Sequence, residues 1–72
     1  MNISIRNHVI GNFKNLPKDE IKDSIVESIK EQDEITLPGF GVFFELLWKH
    51  SNNEIKDEIL SILKDAIEKE SR

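Results

Sequence analysis

The chain has 72 residues, no cysteine, and ten Lys and Arg against fourteen Asp and Glu, for a net charge of −4. This length allows one domain at most, and such a domain buries only about 60% of the surface of its unfolded chain. The missing cysteines exclude disulfides, thiolate metal sites and thiol chemistry, and the acidic balance argues against nucleic acid as the default partner, because phosphate affinity comes mainly from cations.

The first apolar-periodic segment runs from Ile3 to Phe13. Ile5, Val9 and Phe13 recur every four residues and share a helical face. Asn2 is a suitable N-cap, while Gly11 and Asn12 weaken the far end. A strand over Asn2–Arg6 competes, because Ile3 and Ile5 alternate with polar residues. Residues 1–18 hold Arg6, Lys14 and Lys18 and no acid. These three cations are the only phosphate-contact candidates, and scattered cations of this kind are more often a solvated surface.

The second segment spans Leu16 to Gln32. Asn15 can cap it, Pro17 suits the first turn, and Asp19 and Glu20 sit near the positive end of the helix dipole. Ile21, Ile25 and Ile29 form a stripe widened by Val26, opposite Lys22, Asp23, Glu27 and Lys30. This is an amphipathic helix.

The third segment, Leu37 to His50, reads LPGFGVFFELLWKH. Helical spacing puts Phe40, Phe44, Leu47 and Trp48 on one face; alternation puts Phe40, Val42, Phe44, Leu46 and Trp48 on one side of a strand. Aromatic and β-branched residues favour the strand; length and Leu46–Leu47 favour the helix. A lone strand would have little to pair with, so a helix from Pro38 to Lys49 is expected. Gly39 and Gly41 suit neither element and are read as permitting close approach of a neighbouring backbone.

The fourth segment opens with Ser51-Asn52-Asn53-Glu54, a capping-box pattern. Ile55, Ile59, Ile62, Leu63, Ala66 and Ile67 then give a full stripe, with Asp65–Lys69 and Glu68–Arg72 as i, i+4 pairs. A helix from Asn52 to Glu70 follows. The expected fold is all-α: a compact small bundle of three to four short helices, antiparallel where loops are short, in a single domain over 1–72.

Catalytic chemistry finds little support. His8 and His50 lack ligand-like spacing, no Ser-His constellation is visible, and Ser51 beside His50 is already accounted for by capping. The carboxylate pairs Asp19–Glu20, Asp33–Glu34 and Asp57–Glu58 lie on polar faces or in a loop, whereas an acid/base pair needs one member in an apolar pocket. Glu45 differs, being set among Phe44 and Leu46. It is read as pointing outward or pairing with Lys49, against the alternative of a buried carboxylate fixing a partner or a backbone N–H. The Gly39-Phe40-Gly41 turn lacks the Lys and Ser/Thr of a phosphate loop. No enzyme, cofactor or metal is expected. No run of about 18 apolar residues predicts a membrane span, and no secretory leader is visible, so a soluble, cytoplasmic chain is expected.

Two families invite comparison. Gly-Phe-Gly-x-Phe after a helix superficially resembles the histone-like bacterial architectural proteins, but the long basic arm that follows there is replaced here by ELLWKHSNNE. The run LPGFGVFFELLWKH resembles the signature of the minor small acid-soluble spore proteins of type I from endospore-forming Firmicutes. Leu37, Pro38, Gly39, Gly41, Val42, Phe44, Glu45 and Trp48 are in register, and Phe40 and Phe43 replace aliphatic residues. IRNHVIGNF (Ile5–Phe13) and EIKDSIVESIKE (Glu20–Glu31) extend the likeness over nearly the whole chain. The resemblance implies synthesis in the forespore and residence in the spore core, and no molecular activity. The major α/β-type spore proteins that coat DNA are a different family, and neither their DNA-binding signature nor their protease cleavage motif is present. A non-enzymatic spore protein is therefore favoured over a DNA-associated protein using Arg6, Lys14 and Lys18, and over an interaction module docking through Phe40, Phe43, Phe44 and Trp48. Four large rings in a chain this short are more often core than interface. A small core without staples makes a weak homodimer the expected source of extra stability, and any other protein partner is left unidentified.

Overall fold

A computed structural model describes residues 4–71. Four α-helices follow in order: α1 Ile5–Phe13, α2 Lys18–Glu31, α3 Leu37–His50 and α4 Asn53–Glu70, with a single 3₁₀ turn at Glu34–Thr36 leading into α3. The small all-α bundle expected from periodicity is what forms, and the third segment is helix rather than strand.

The helix ends follow local chemistry more than pattern. Ser4, in extended backbone, caps α1 by accepting the Asn7 N–H at 3.2 Å; Asn2, the expected cap, lies outside the described residues. Pro17 itself is the cap residue of α2, with no side-chain bond. Its carbonyl takes the N–H groups of Glu20 and Ile21, and Asn15 is consumed in the turn after α1. At the other end Gln32 adopts a left-handed conformation (φ 52°, ψ 32°) and its N–H bonds the Ile29 carbonyl. Asp33 then accepts the Ile35 N–H at 3.0 Å while the Thr36 hydroxyl donates to the Asp33 carbonyl. This side-chain turn delivers the chain directly to Leu37 and Pro38 at the start of α3.

The capping box at Ser51–Glu54 does not form. The register is shifted by one residue: Asn52 Oδ1 accepts the Ile55 N–H at 2.9 Å, and Ser51 belongs to α3, its hydroxyl donating to the Leu47 carbonyl. A hydroxyl within reach of the carbonyl four residues back closes the preceding helix instead of opening the next. On α4 the ion pair is Lys64–Glu68 at 2.8 Å, in place of Asp65–Lys69; Arg72 lies outside the described residues.

Tertiary packing centres on α3. Its main helix partner is α1, not the neighbours that follow it in sequence, and Val42 is the single buried residue among those described, at 7% exposure. The glycines do not serve close packing. A Cβ built on Gly39 or Gly41 meets nothing within 4 Å, and neither has positive φ. Both therefore only loosen the first turns of α3. Gly39→Ala and Gly41→Ala should each stabilise the monomer by about 0.5–1 kcal/mol, read as a raised urea midpoint at unchanged helical content.

Candidate functional site

The residues that chemistry singles out meet on the seam between α1 and α3. Ile5, Val9 and Phe13 project from one face of α1, and α3 presents Val42 to the interior. Phe13 meets Phe43 edge to face, ring centres 5.1 Å apart and planes at 77°, the arrangement favoured by the ring quadrupole. One turn on, Phe44 and Trp48 stack at 6.1 Å, and Lys56 of α4 places its ammonium 5.4 Å from the Trp48 ring, a cation–π contact across the α3–α4 joint. The four aromatic rings of α3 are thus only partly buried. Phe40, Phe43 and Trp48 are half-buried, and Phe44 is exposed.

Above the aromatic pair, Arg6 clasps Glu45. Its Nε–H donates to Glu45 Oε1 at 2.6 Å and its terminal amino group donates to Oε2 at 2.8 Å. Both carboxylate oxygens are held by one planar guanidinium, the bidentate geometry that Arg alone offers. The hydrogen bond from Arg6 holds the Glu45 carboxyl below the usual carboxylate range, with its positive charge and that of Lys49 adding to the effect against partial desolvation. The same bond raises Arg6 in turn. Glu45 is therefore neither a free outward residue nor a partner of Lys49 alone. Its partner lies 39 residues away, beyond the reach of any local pattern.

The phosphate-contact candidates are not gathered into one cationic patch. Arg6 is occupied by Glu45, Lys14 follows the end of α1, and Lys18 opens α2. Beside Lys14 lies an apolar groove of 720 Å³ walled by α1, α2 and α3, with His50 at its far rim. The carboxylate pairs at 19–20, 33–34 and 57–58 are all solvent-exposed, so none occupies the apolar pocket that acid/base work requires. Among the described residues no group of His, Asp and Glu could hold a metal ion, and no helix is long and apolar enough to cross a membrane.

Comparison with known proteins gives one consistent result. Residues 3–67 match the family model described as small, acid-soluble spore protein I. Proteins of that name are similar over nearly their whole length. One from Geobacillus sp. (strain WCH70) is 42% identical over 67 residues, covering 93% of this chain and 94% of the relative. One from Bacillus velezensis is 37% identical with the same coverage, and one from Bacillus cereus (strain AH187) is 33% identical over 96% of this chain and all of the relative. No solved structure matches the chain.

The Arg6–Glu45 clasp sets a pH dependence. A carboxyl whose folded pKa is depressed contributes stability that is present above its unfolded value and is lost as pH falls through the folded one. Arg6 stays protonated throughout that range. The wild-type denaturation midpoint should hold from neutrality to the ordinary carboxylate range and drop below it. Glu45→Gln should begin lower and show a shallower acid fall, and the Glu45 carboxyl carbon should titrate below the ordinary carboxylate range by NMR.

Proposed function

The chain belongs to the small, acid-soluble spore protein I family, and from that membership we propose that it is made in the forespore, resides in the spore core and acts there without catalysis, through contact with other macromolecules. The observation that carries this reading is how the residues of α3 that bear the family likeness are employed. Val42 fills the interior, Glu45 is bound by Arg6, and Phe44 stacks on Trp48. Side chains committed to packing and to a structural ion pair are not available as nucleophile, base or oxyanion donor, the roles that catalysis must fill.

The remaining apolar positions on the α2, α3 and α4 faces point the same way. Ile29, Leu37, Leu47 and Ile67 are exposed, and apolar surface left open beyond isolated residues is what contact sites on small proteins are built from. DNA association through Arg6, Lys14 and Lys18 draws no support from this arrangement, because a phosphate at Arg6 would have to displace the Glu45 carboxylate. With two lysines remaining, counterion release would give a log–log salt slope of only about −1.8 on duplex DNA.

Quantitative mass spectrometry of a fractionated sporulating culture tests the proposal. The protein should accumulate in the forespore once the septum has formed. It should then be recovered in the dilute-acid extract of broken, coat-stripped spores. Recovery from vegetative cells or the mother cell alone would overturn it.

A further inference from the structure

The chain exposes more surface than its mass calls for. Its accessible area is 6574 Å², against about 4,600 Å² for a folded monomer of this size. Its radius of gyration is 13.9 Å, where a compact domain of this length has about 11 Å. Several of the exposed apolar side chains lie on α4. Ile62 and Ile67 are 68% and 63% exposed, and Ile55 and Leu63 are also open to solvent. No residue of α4 is buried and only Lys56 and Ile59 are half-buried, so most of the strongest amphipathic stripe in the sequence is left uncovered within the chain.

The same chain carries the complement of that stripe. The apolar groove of 720 Å³ takes its walls from Phe13 of α1, Ile21 and Ile25 of α2 and Phe43 and Leu47 of α3, with no contribution from α4. The charges match as well. Glu54, Glu58 and Asp65, at i, i+4 and i+11, run along one edge of the α4 stripe, and Lys14 stands on the rim of the groove. The stripe from Ile55 to Ile67 is about 18 Å long and α3 about 21 Å at the helical rise, so the insert and its bed are commensurate. The two-residue joint at Ser51–Asn52 is extended at both positions, and Lys56 fixes the first turn of α4 against Trp48. That joint sends α4 away from its own groove.

We infer that α4 of one copy docks in the α1–α2–α3 groove of a second copy, and that the exchange is reciprocal, giving a two-fold symmetric dimer. Each chain then contributes two surfaces, the α4 stripe and the groove. The surplus of about 2,000 Å² suits two contacts of roughly 800 Å² per partner, the size of a standard interface. A symmetric pair also closes on itself, because each partner's insert fills the other's receptacle. The inference deepens the reading of this chain as a contact protein, but it is tested on the purified full chain while that reading is tested in spores, so either can fail alone.

Sedimentation over a wide range of concentration, with far-UV circular dichroism as the control for folding, supplies the test. Wild type should sediment as a dimer that dissociates on dilution. Ile62→Glu, on the stripe, and Leu47→Glu, in the groove at a position 51% exposed, should each weaken association by about a hundredfold, since each would place a carboxylate in an apolar contact. Mixing the two variants should restore association above either alone, because one intact α4 then meets one intact groove. Lys14→Glu, a surface reversal that leaves the monomer's packing alone, should weaken the wild-type dimer roughly fivefold at low salt and less at high salt; it decides the matter if Leu47→Glu fails to fold. A wild type that is monomeric at every concentration means that α4 covers its own groove or none. Association unaffected by Ile62→Glu or by Lys14→Glu, or variants that fail to complement, means that α4 pairs with α4 or that another face is used. Each of these results overturns the inference.

Discussion

The packing of α1 on α3 is the constraint on which the rest of this fold depends, and its polar edge is the bidentate contact between Arg6 and Glu45. That contact is the only side-chain hydrogen bonding between distant parts of the chain among the described residues; the other side-chain bonds span four residues or fewer. Below it lie Val42 and the Phe13–Phe43 pair, so polar and apolar contributions act on the same two helices. The helix α1 needs this. It is nine residues long, contains Gly11 and Asn12, and carries no acid in its first turn and no base in its last. A helix that short is marginal in water even with a favourable sequence, so its order comes from being held against α3.

The second constraint is the shortage of interior. One residue at 7% exposure is a small return for four helices, and the reason is geometric. Two neighbours along the chain, α3 and α4, are joined by two extended residues, and α4 adds no buried residue to the interior. The pieces that do meet, α1 and α3, are separated by α2 and a 3₁₀ turn. Ordering residues costs about 1–2 kcal/mol each for the backbone alone. Apolar faces left in water offset little of that, which is the physical ground of the proposed self-association.

Helices α2 and α4 were legible because their apolar residues recur at 3.6 rather than 2.0; α3 fits both periods, and the lack of a strand for it to pair with is what pointed to a helix. Their ends were less legible, because neighbouring residues compete for one role. Asn15 and Pro17 both suit the start of α2, and Ser51 and Asn52 both suit the start of α4. In each case the backbone angles decide, and those depend on how the preceding helix ends. The 3₁₀ turn carried a local signal, an Asp two residues before the amide it accepts, which a reading based on hydrophobic period passes over. The Arg6–Glu45 pair carried none. Its members are 39 residues apart, and the local alternative, Lys49 at i+4 from Glu45, is an equally good match to a helical pattern. Gly39 and Gly41 misled, since glycine next to aromatic residues suggests close packing and here meets open space.

Those glycines bear on what α3 is for. A helix selected for stability alone would carry Ala at two positions of its first two turns where a Cβ meets nothing. The same helix keeps Phe44 and Leu47 exposed while burying Val42 on its opposite side. The stretch that carries the family likeness therefore divides in two. Val42, Phe43 and Glu45 are explained by what they touch in this chain. Gly39 and Gly41 meet nothing where a side chain would begin, Leu47 is half exposed, and Phe44 stays open to solvent although it stacks on Trp48. An apolar, loosely started helix with one side committed to α1 and the other open is the form expected of a surface completed by association, and it is on the outward side of α3, rather than its buried side, that the proposed docking rests.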